Sequence, residues 1–191
     1  MNPIIFLSID GVISTNDGID DAIKTKGETH DKQGFVYFCP KACEHVSKLV
    51  EHYKADVVIY SPWSDDFKTV ADFNKFLKQR NINWPVVDKT SGLITKWFTK
   101  NGTPEKFVII TSDDTLLDLF PNNIALTEDI HGFADRKIYR KAMNTLKKPA
   151  ELFKFFVEIF VHTDIPIFDF FLIVLFSYRS PLLSRLIIIK L

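Results

Sequence analysis

Residues 4–13 read IIFLSIDGVI, an apolar stretch that contains a serine at position 8 and an Asp-Gly pair at positions 10 and 11. Such a run, over residues 4–9, predicts a strand buried on both faces, and the Asp-Gly pair after it is typical of a turn. Further apolar runs of strand length follow at residues 56–60, 86–87, 107–110 and 124–126. Strands that alternate with helical patterns predict an α/β domain with a mostly parallel central sheet.

Helical patterns fill the intervals between these strands. Apolar residues at helical spacing predict a helix that begins near Pro40, a second over residues 66–80 and a third over residues 93–100. The polar stretch at residues 14–34 is rich in Asp, Lys and Gly, so we expect an exposed loop or a small flap within residues 13–37.

Composition bounds the kind of partner and the compartment. The 24 basic and 24 acidic residues give a formal net charge of zero, which offers no electrostatic reason to propose nucleic acid or an anionic membrane as a partner. No second Cys/His pair at zinc spacing follows Cys39 and Cys43, so we interpret both as buried thiols. The N-terminus lacks the features of a signal peptide, which predicts a cytoplasmic protein.

The composition changes sharply after a Lys-Lys-Pro sequence. We divide the chain there into a domain at residues 1–148 and a hydrophobic, helical tail at residues 149–191. The longest apolar run of the tail is shorter than the roughly twenty residues of a membrane span and contains Asp169. We therefore expect residues 150–191 to pack on the sheet or on a second subunit, with peripheral membrane contact as the alternative.

Polar side chains follow four of the predicted strands, at the edge where parallel α/β sheets bind their ligands. They are Ser8, Asp10 and Gly11 at the end of the first strand, Ser61 after the second, Lys89 just beyond the third, and TSDD at residues 111–114 after the fourth. Carboxylates bind Mg2+ and transfer protons, while hydroxyl and cationic groups hold phosphate oxygens. This combination predicts phosphoryl-transfer chemistry.

Four segments resemble the motifs of the haloacid-dehalogenase (HAD) superfamily, in the same order. Residues 6–13, FLSIDGVI, resemble the first motif, an apolar strand followed by Asp-x-Asp-Gly-Val-Leu. Residues 57–64, VVIYSPWS, are similar to the second-motif region of a HAD subgroup associated with RNA-repair proteins, whose strand ends in Ser-Ser/Thr-Trp-Arg. Residues 89–98 resemble the third-motif region, and residues 107–114, FVIITSDD, resemble the fourth. The likeness covers residues 3–140.

The resemblance implies a HAD-like three-layer sandwich and a role for each matched residue. Asp10 would be the general acid/base and a ligand of Mg2+, and Asp113 and Asp114 would complete the metal site. Ser61 and Lys89 would hold the phosphate of a small phosphorylated ligand.

The nucleophile position departs from the family pattern. Ser8 stands where HAD phosphatases have the attacking aspartate, so Ser8 and Asp10 are the candidate catalytic residues. A serine hydroxyl is a poor nucleophile without an adjacent base, and no histidine lies near Ser8 in the sequence. The change also removes one anionic ligand, so we expect weak Mg2+ binding at most. Ser64 likewise replaces the arginine of the subgroup.

Each candidate residue also has a purely structural interpretation. Asp10-Gly11 could form a simple turn, and Ser61 could cap a helix. Lys89 could be a solvated side chain, and Lys96 is then the other candidate for the cation that holds phosphate. Asp113-Asp114 could be acids that cap the N-terminus of a helix.

Three functions are consistent with these patterns. The first is a degenerate HAD-like phosphatase domain, a pseudoenzyme that binds a phosphorylated ligand or Mg2+ with little or no hydrolysis. The second is an active metal-dependent phosphohydrolase with an altered nucleophile, in which Asp10 and the Asp113-Asp114 pair activate water. The third is a scaffold protein held to a membrane or a partner by residues 150–191. The short flap identifies no substrate.

Overall fold

The structure is a computed structural model that describes residues 2–91 and 93–148. Within these residues, the strands are β1 (Ile4–Leu7), β2 (Asp56–Tyr60), β3 (Val86–Thr90), β4 (Phe107–Thr111) and β5 (Ile124–Leu126). The α-helices are α1 (Asn16–Lys26), α2 (Pro40–Tyr53), α3 (Val70–Gln79), α4 (Ile94–Asn101) and α5 (Arg136–Lys147). Short 3-10 helices lie at Pro62–Asp66, Asp114–Leu117 and Gly132–Ala134.

The strands form one parallel sheet in the order β3-β2-β1-β4-β5. In the central strand β1, Leu7 lies opposite Ile59 of β2 and Ile110 of β4. The chain winds from β1 out to β3 and then returns to β4 on the other side of β1, so the strand order reverses between β1 and β4. Sheets of this kind bind ligands at the carboxyl ends of the strands beside the reversal. The ends of β1 and β4 are therefore where a site is expected.

Alternate residues of β1 face two separate cores. Ile5 and Leu7 pack in the core that contains buried residues of α2, α3 and α5, whereas Phe6 packs in the core that contains α4. The ring of Phe6 meets Trp97 of α4 edge to face, with 5.1 Å between the ring centroids. Helices thus cover both faces of the sheet, and the predicted three-layer α/β sandwich is confirmed.

The predicted flap contains a helix, α1, and the prediction of an exposed loop there is wrong. Thr15 Oγ1 accepts a hydrogen bond from Gly18 N at 3.1 Å and caps the start of α1, and Gly27 ends it with a φ of 72°. Only Gly18 and Ala22 of α1 are buried, so its apolar periodicity is weak. The capping residues, rather than apolar spacing, carry the sequence signal for α1.

Other boundaries also differ from the predictions. β1 ends at Leu7, two residues earlier than expected, and α3 begins at Val70 because Thr69 and Asp72 form a capping box there. The sequence analysis does not predict α5. The remaining strands and helices overlap their predicted ranges.

The second half of the flap folds onto α3. Asp31 Oδ1 accepts hydrogen bonds from the amides of Gln33 and Phe35, at 2.8 and 3.2 Å. Asp31 also forms an ion pair with Arg80 at the end of α3. The ring of Phe35 stacks on Phe67, with 5.6 Å between the centroids. The flap is therefore packed against the domain at both polar and aromatic contacts.

The predicted tail, residues 149–191, lies outside the described residues, and so do its expected membrane or subunit contacts. The division at residue 148 and the cytoplasmic location stay predictions. In the described part of the chain, no helix is long and apolar enough to cross a bilayer.

Candidate functional site

The Asp10-Gly11 turn follows β1, and residues that follow β4 and β5 hold it. Ser112 Oγ donates to Asp10 O at 3.3 Å, and Thr127 Oγ1 donates to Gly11 O at 2.7 Å. Gly11 has a φ of 67°, and a Cβ at this position would lie 2.5 Å from Ser112 Oγ and closer still to Asp129. Only glycine fits here, which lets polar side chains from neighbouring strands contact one turn.

Trp63 binds the carboxylate of Asp10. Its Nε1 donates to Oδ1 at 3.1 Å and to Oδ2 at 3.0 Å. The indole ring packs against Phe35 and Phe38 of the flap, with ring centroids 5.4 and 5.7 Å apart. The flap and the turn after β2 thus fix the position of the Asp10 carboxylate, a contact that the sequence alone does not reveal.

The surroundings of Asp10 suit a group that exchanges protons. Burial raises the pKa of Asp10 above its ordinary value, and the negative charge of Asp129 raises it further, whereas the hydrogen bond from Trp63 lowers it. A raised pKa keeps the carboxyl group protonated to higher pH, which a general acid requires. The shift is in the direction that the predicted acid/base role needs.

Asp129 is a candidate site residue that the sequence analysis misses. Its carboxylate lies against the position that a Gly11 Cβ would occupy, and its charge reaches Asp10. The signal is present in the sequence, because residues 127–129, TED, follow β5 just as residues 112–114, SDD, follow β4. Asp129 therefore belongs with the polar residues at the ligand edge of the sheet.

The structure brings Lys89 to the turn that carries Ser61. Ser61 is buried, and its hydroxyl accepts a hydrogen bond from Trp63 N at 3.4 Å, so Ser61 does cap the 3-10 helix as the structural interpretation has it. Lys89 Nζ donates to Ser64 O at 2.5 Å in the same turn. Lys96, by contrast, is exposed on α4. The contact favours Lys89 as the cation beside Ser61.

The two acids after β4 have different surroundings. Asp113 Oδ1 accepts hydrogen bonds from Thr115 N at 3.0 Å and Thr115 Oγ1 at 2.6 Å, and so caps the 3-10 helix that follows. Asp114 is exposed within that helix. Burial raises the pKa of Tyr60, at the end of β2, and the charge of Asp113 raises it further. Asp113 is thus close enough to the end of β2 to act electrostatically there.

The described acids do not form a preassembled metal site. Among residues 2–91 and 93–148, no three His, Cys, Asp or Glu side chains come together to hold a metal. Mg2+ demands nearly octahedral oxygen coordination, and one oxygen of Asp113 is already committed to a cap. Cys43 supplies no thiolate ligand either, because burial raises the pKa of its thiol to about 12 and leaves it protonated. The metal role of Asp10, Asp113 and Asp114 stays a prediction.

Ser8 lies half-buried after β1, where its amide donates to Ile110 O at 3.0 Å. The described histidines contact other groups: His45 Nδ1 bonds Phe133 O at 2.8 Å, and His131 Nδ1 pairs with Asp17 at 2.6 Å. His30 and His52 contact their sequence neighbours. No described histidine therefore contacts Ser8 to activate its hydroxyl.

The parallel sheet, whose strand order reverses between β1 and β4, and the Asp-Gly turn after β1 are those of a HAD-type α/β domain. Residues 4–138 match the family model described as the HAD domain in Swiss Army Knife RNA repair proteins, and the chain belongs to this family. No curated protein and no solved structure matches the chain. The resemblance found from the motifs is thereby confirmed, and the domain is of the HAD phosphatase type. HAD domains generally use Mg2+.

Proposed function

We propose that the chain is a degenerate HAD phosphatase domain that binds the phosphate of a small phosphorylated ligand and hydrolyses it slowly or not at all. The observation that carries the proposal is Ser8 at the nucleophile position, after β1 and beside the strand reversal, with no described histidine in contact. An uncharged hydroxyl without a base attacks phosphorus poorly.

Ser61 and Lys89 are the groups that we propose to hold the phosphate. Lys89 has three N–H donors, of which Ser64 O accepts one. The hydroxyl of Ser61 accepts from Trp63 N and keeps its own proton for donation. Replacement of a carboxylate by Ser8 also lowers the negative charge that an incoming phosphate meets. Because the family description refers to RNA repair proteins, a phosphorylated nucleotide is the ligand class to test after phosphate itself.

The binding half of the proposal is tested with inorganic phosphate and isothermal titration calorimetry. Lys89→Met should weaken phosphate binding by about 10-fold or more, because a charge-assisted hydrogen bond contributes about 1.5–3 kcal/mol. Lys100→Met is the matched control, since it removes an equal charge from the exposed face of α4 at a residue that is not a site candidate. Equal binding by the wild type and Lys89→Met would contradict the assignment.

A second candidate function is supported by the pKa of Asp10. Burial and Asp129 raise that pKa, so Asp10 suits general acid catalysis by a working phosphohydrolase. This alternative predicts wild-type hydrolysis of a generic phosphate ester that Asp10→Asn abolishes, measured with and without added Mg2+. Activity at the buffer background for both proteins would exclude it.

A further inference from the structure

Helix α5 carries an unbalanced set of positive charges. Its twelve residues, RKIYRKAMNTLK, contain five cations and no acid, and Lys148 follows directly. None of these cations forms an ion pair within the described residues. The zero net charge of the whole chain therefore conceals a local excess on this helix. An unneutralised row of cations attracts anions and is the electrostatic footprint of a polyanion site.

The cations line a groove beside β5, the edge strand of the sheet. The groove has a volume of about 410 Å³. On the α5 side, its cationic residues are Lys137, Arg140, Lys141 and Lys148. The other lining residues are uncharged and polar, namely Asn122, Asn123, Asn144 and Thr145. Among the described residues no acid lines the groove, so a bound anion would meet only cations and neutral hydrogen-bonding groups of this part of the chain.

The length of the row favours a chain of phosphates over a single one. From Lys137 to Lys147 the helix rises roughly 15 Å, at about 1.5 Å per residue, and Lys148 follows directly. Phosphates of a nucleic-acid strand follow one another at much shorter intervals, about 3.4 Å along the axis of B-DNA. A row of this length can therefore contact several consecutive phosphates.

The other face of α5 argues against a lipid surface as the partner. Ala142 and Leu146 are buried, and Ile138, Tyr139 and Met143 pack against the same core. Helices that lie on membranes insert an apolar face between lipids, and α5 has its apolar face in the domain core.

We infer that the groove between α5 and the segment that precedes β5 binds the phosphodiester backbone of a single-stranded nucleic acid. The α5 cations would contact the phosphates without reading the bases. This site is separate from the Asp10 turn, and the inference does not depend on whether that turn binds or hydrolyses phosphate.

The test is fluorescence anisotropy with the full chain and a labelled 12-nucleotide single-stranded RNA that has hydroxyl groups at both ends. Such a probe offers no terminal phosphate to the Ser61–Lys89 region. The variant replaces Lys137, Arg140 and Lys141 by Gln. The matched control replaces Lys24, Lys75 and Lys78 by Gln, because these lysines are exposed on α1 and α3 and the charge change is the same.

The salt dependence of binding gives the expected loss of RNA affinity in the α5 variant. For single strands the slope of log K against log salt is about −0.7 per neutralised phosphate, so four contacts give about −2.8 and the single remaining contact of the variant about −0.7. At about 0.1 M salt, the loss of three contacts corresponds to a roughly 100-fold weaker affinity. The control should bind as the wild type does.

Three results would overturn the inference. They are wild-type affinity in the α5 variant, an equal loss in the control, and binding of phosphatidylserine vesicles by the wild type without binding of RNA. Circular dichroism melting of both variants checks that the exposed substitutions leave the domain folded.

Discussion

The hydrogen bond from Trp63 to Asp10 leads to a quantitative prediction for Trp63→Phe. The indole N–H contacts both carboxylate oxygens, at 3.1 and 3.0 Å, and so lowers the pKa of Asp10. Hydrogen bonds to charged groups contribute about 1.5–3 kcal/mol, and we use about 1 kcal/mol because solvent screens the exposed Asp10. At about 1.4 kcal/mol per pKa unit, the pKa should rise by about 0.7 unit.

The same substitution changes how stability depends on pH. Burial raises the pKa of Asp10 in the folded state above its unfolded value. The contribution of Asp10 to stability is therefore full below the unfolded pKa and is lost as pH rises through the folded pKa. Because Trp63→Phe raises the folded pKa further, the variant should lose about 1 kcal/mol of stability at neutral pH and less in acid.

The assay is a carbon-13 NMR titration of the Asp10 carboxyl group in metal-free protein, together with urea unfolding at neutral and acidic pH. Trp97→Phe is the control, because it removes an indole N–H that donates to Asp88 at 2.8 Å instead. An Asp10 pKa that stays unchanged or falls in Trp63→Phe, or that rises equally in Trp97→Phe, would refute the reasoning.

Three further results are expected. Gly11→Ala should lower the free energy of unfolding in urea by about 2 kcal/mol or more, because φ is 67° and the added Cβ meets neighbouring side chains. Asp129→Asn should lower the pKa of Asp10 in the NMR titration, because it removes a like charge. Asp17→Asn should remove the stability contributed by His131, whose pKa is raised by the hydrogen bond that it donates to Asp17. That contribution is present below the ordinary histidine pKa and disappears as pH rises through the raised value, and thermal unfolding across this pH range measures it.

Each of these results has an outcome that contradicts it. Gly34 has a φ of 84° and no atom within 4 Å of an added Cβ. Gly34→Ala should therefore lower the free energy of unfolding less than Gly11→Ala does. An equal loss in both variants would show that the side-chain contacts around Gly11 are unimportant. An Asp10 pKa unaffected by Asp129→Asn would remove Asp129 from the site. A melting temperature of Asp17→Asn that follows the wild type at every pH would exclude a contribution from the ion pair.

The sheet is predictable from the sequence because its strands are continuous apolar runs. All four residues of β1 and all five of β4 are buried, which leaves no alternation to misread. Helix α1 is harder to predict, since it buries only Gly18 and Ala22 fully and most of its surface is exposed. Helix α5 does carry a helical signal that the sequence analysis misses, because Ile138, Ala142 and Leu146 recur at intervals of four residues.

The candidate site is predictable where residues follow strands and unpredictable where contacts span the fold. Asp10 and Lys89 are found from their places after β1 and in β3, because the carboxyl ends of parallel strands share one edge. The bond between Trp63 and Asp10 joins residues 53 positions apart, and no local pattern encodes it. The capping of the 3-10 helix by Asp113 is a local contact, and it agrees with the structural alternative that the sequence offers for this pair.

Residue 8 carries the central claim, and phosphate-ester hydrolysis tests it most directly. The measurement is release of nitrophenol from para-nitrophenyl phosphate with added Mg2+ by the wild type, Ser8→Asp and Ser8→Asn, the last as an uncharged control of similar size. The account predicts that the wild type and Ser8→Asn stay at the buffer background while Ser8→Asp turns over. Wild-type hydrolysis that Asp10→Asn abolishes would contradict the account and identify a working enzyme.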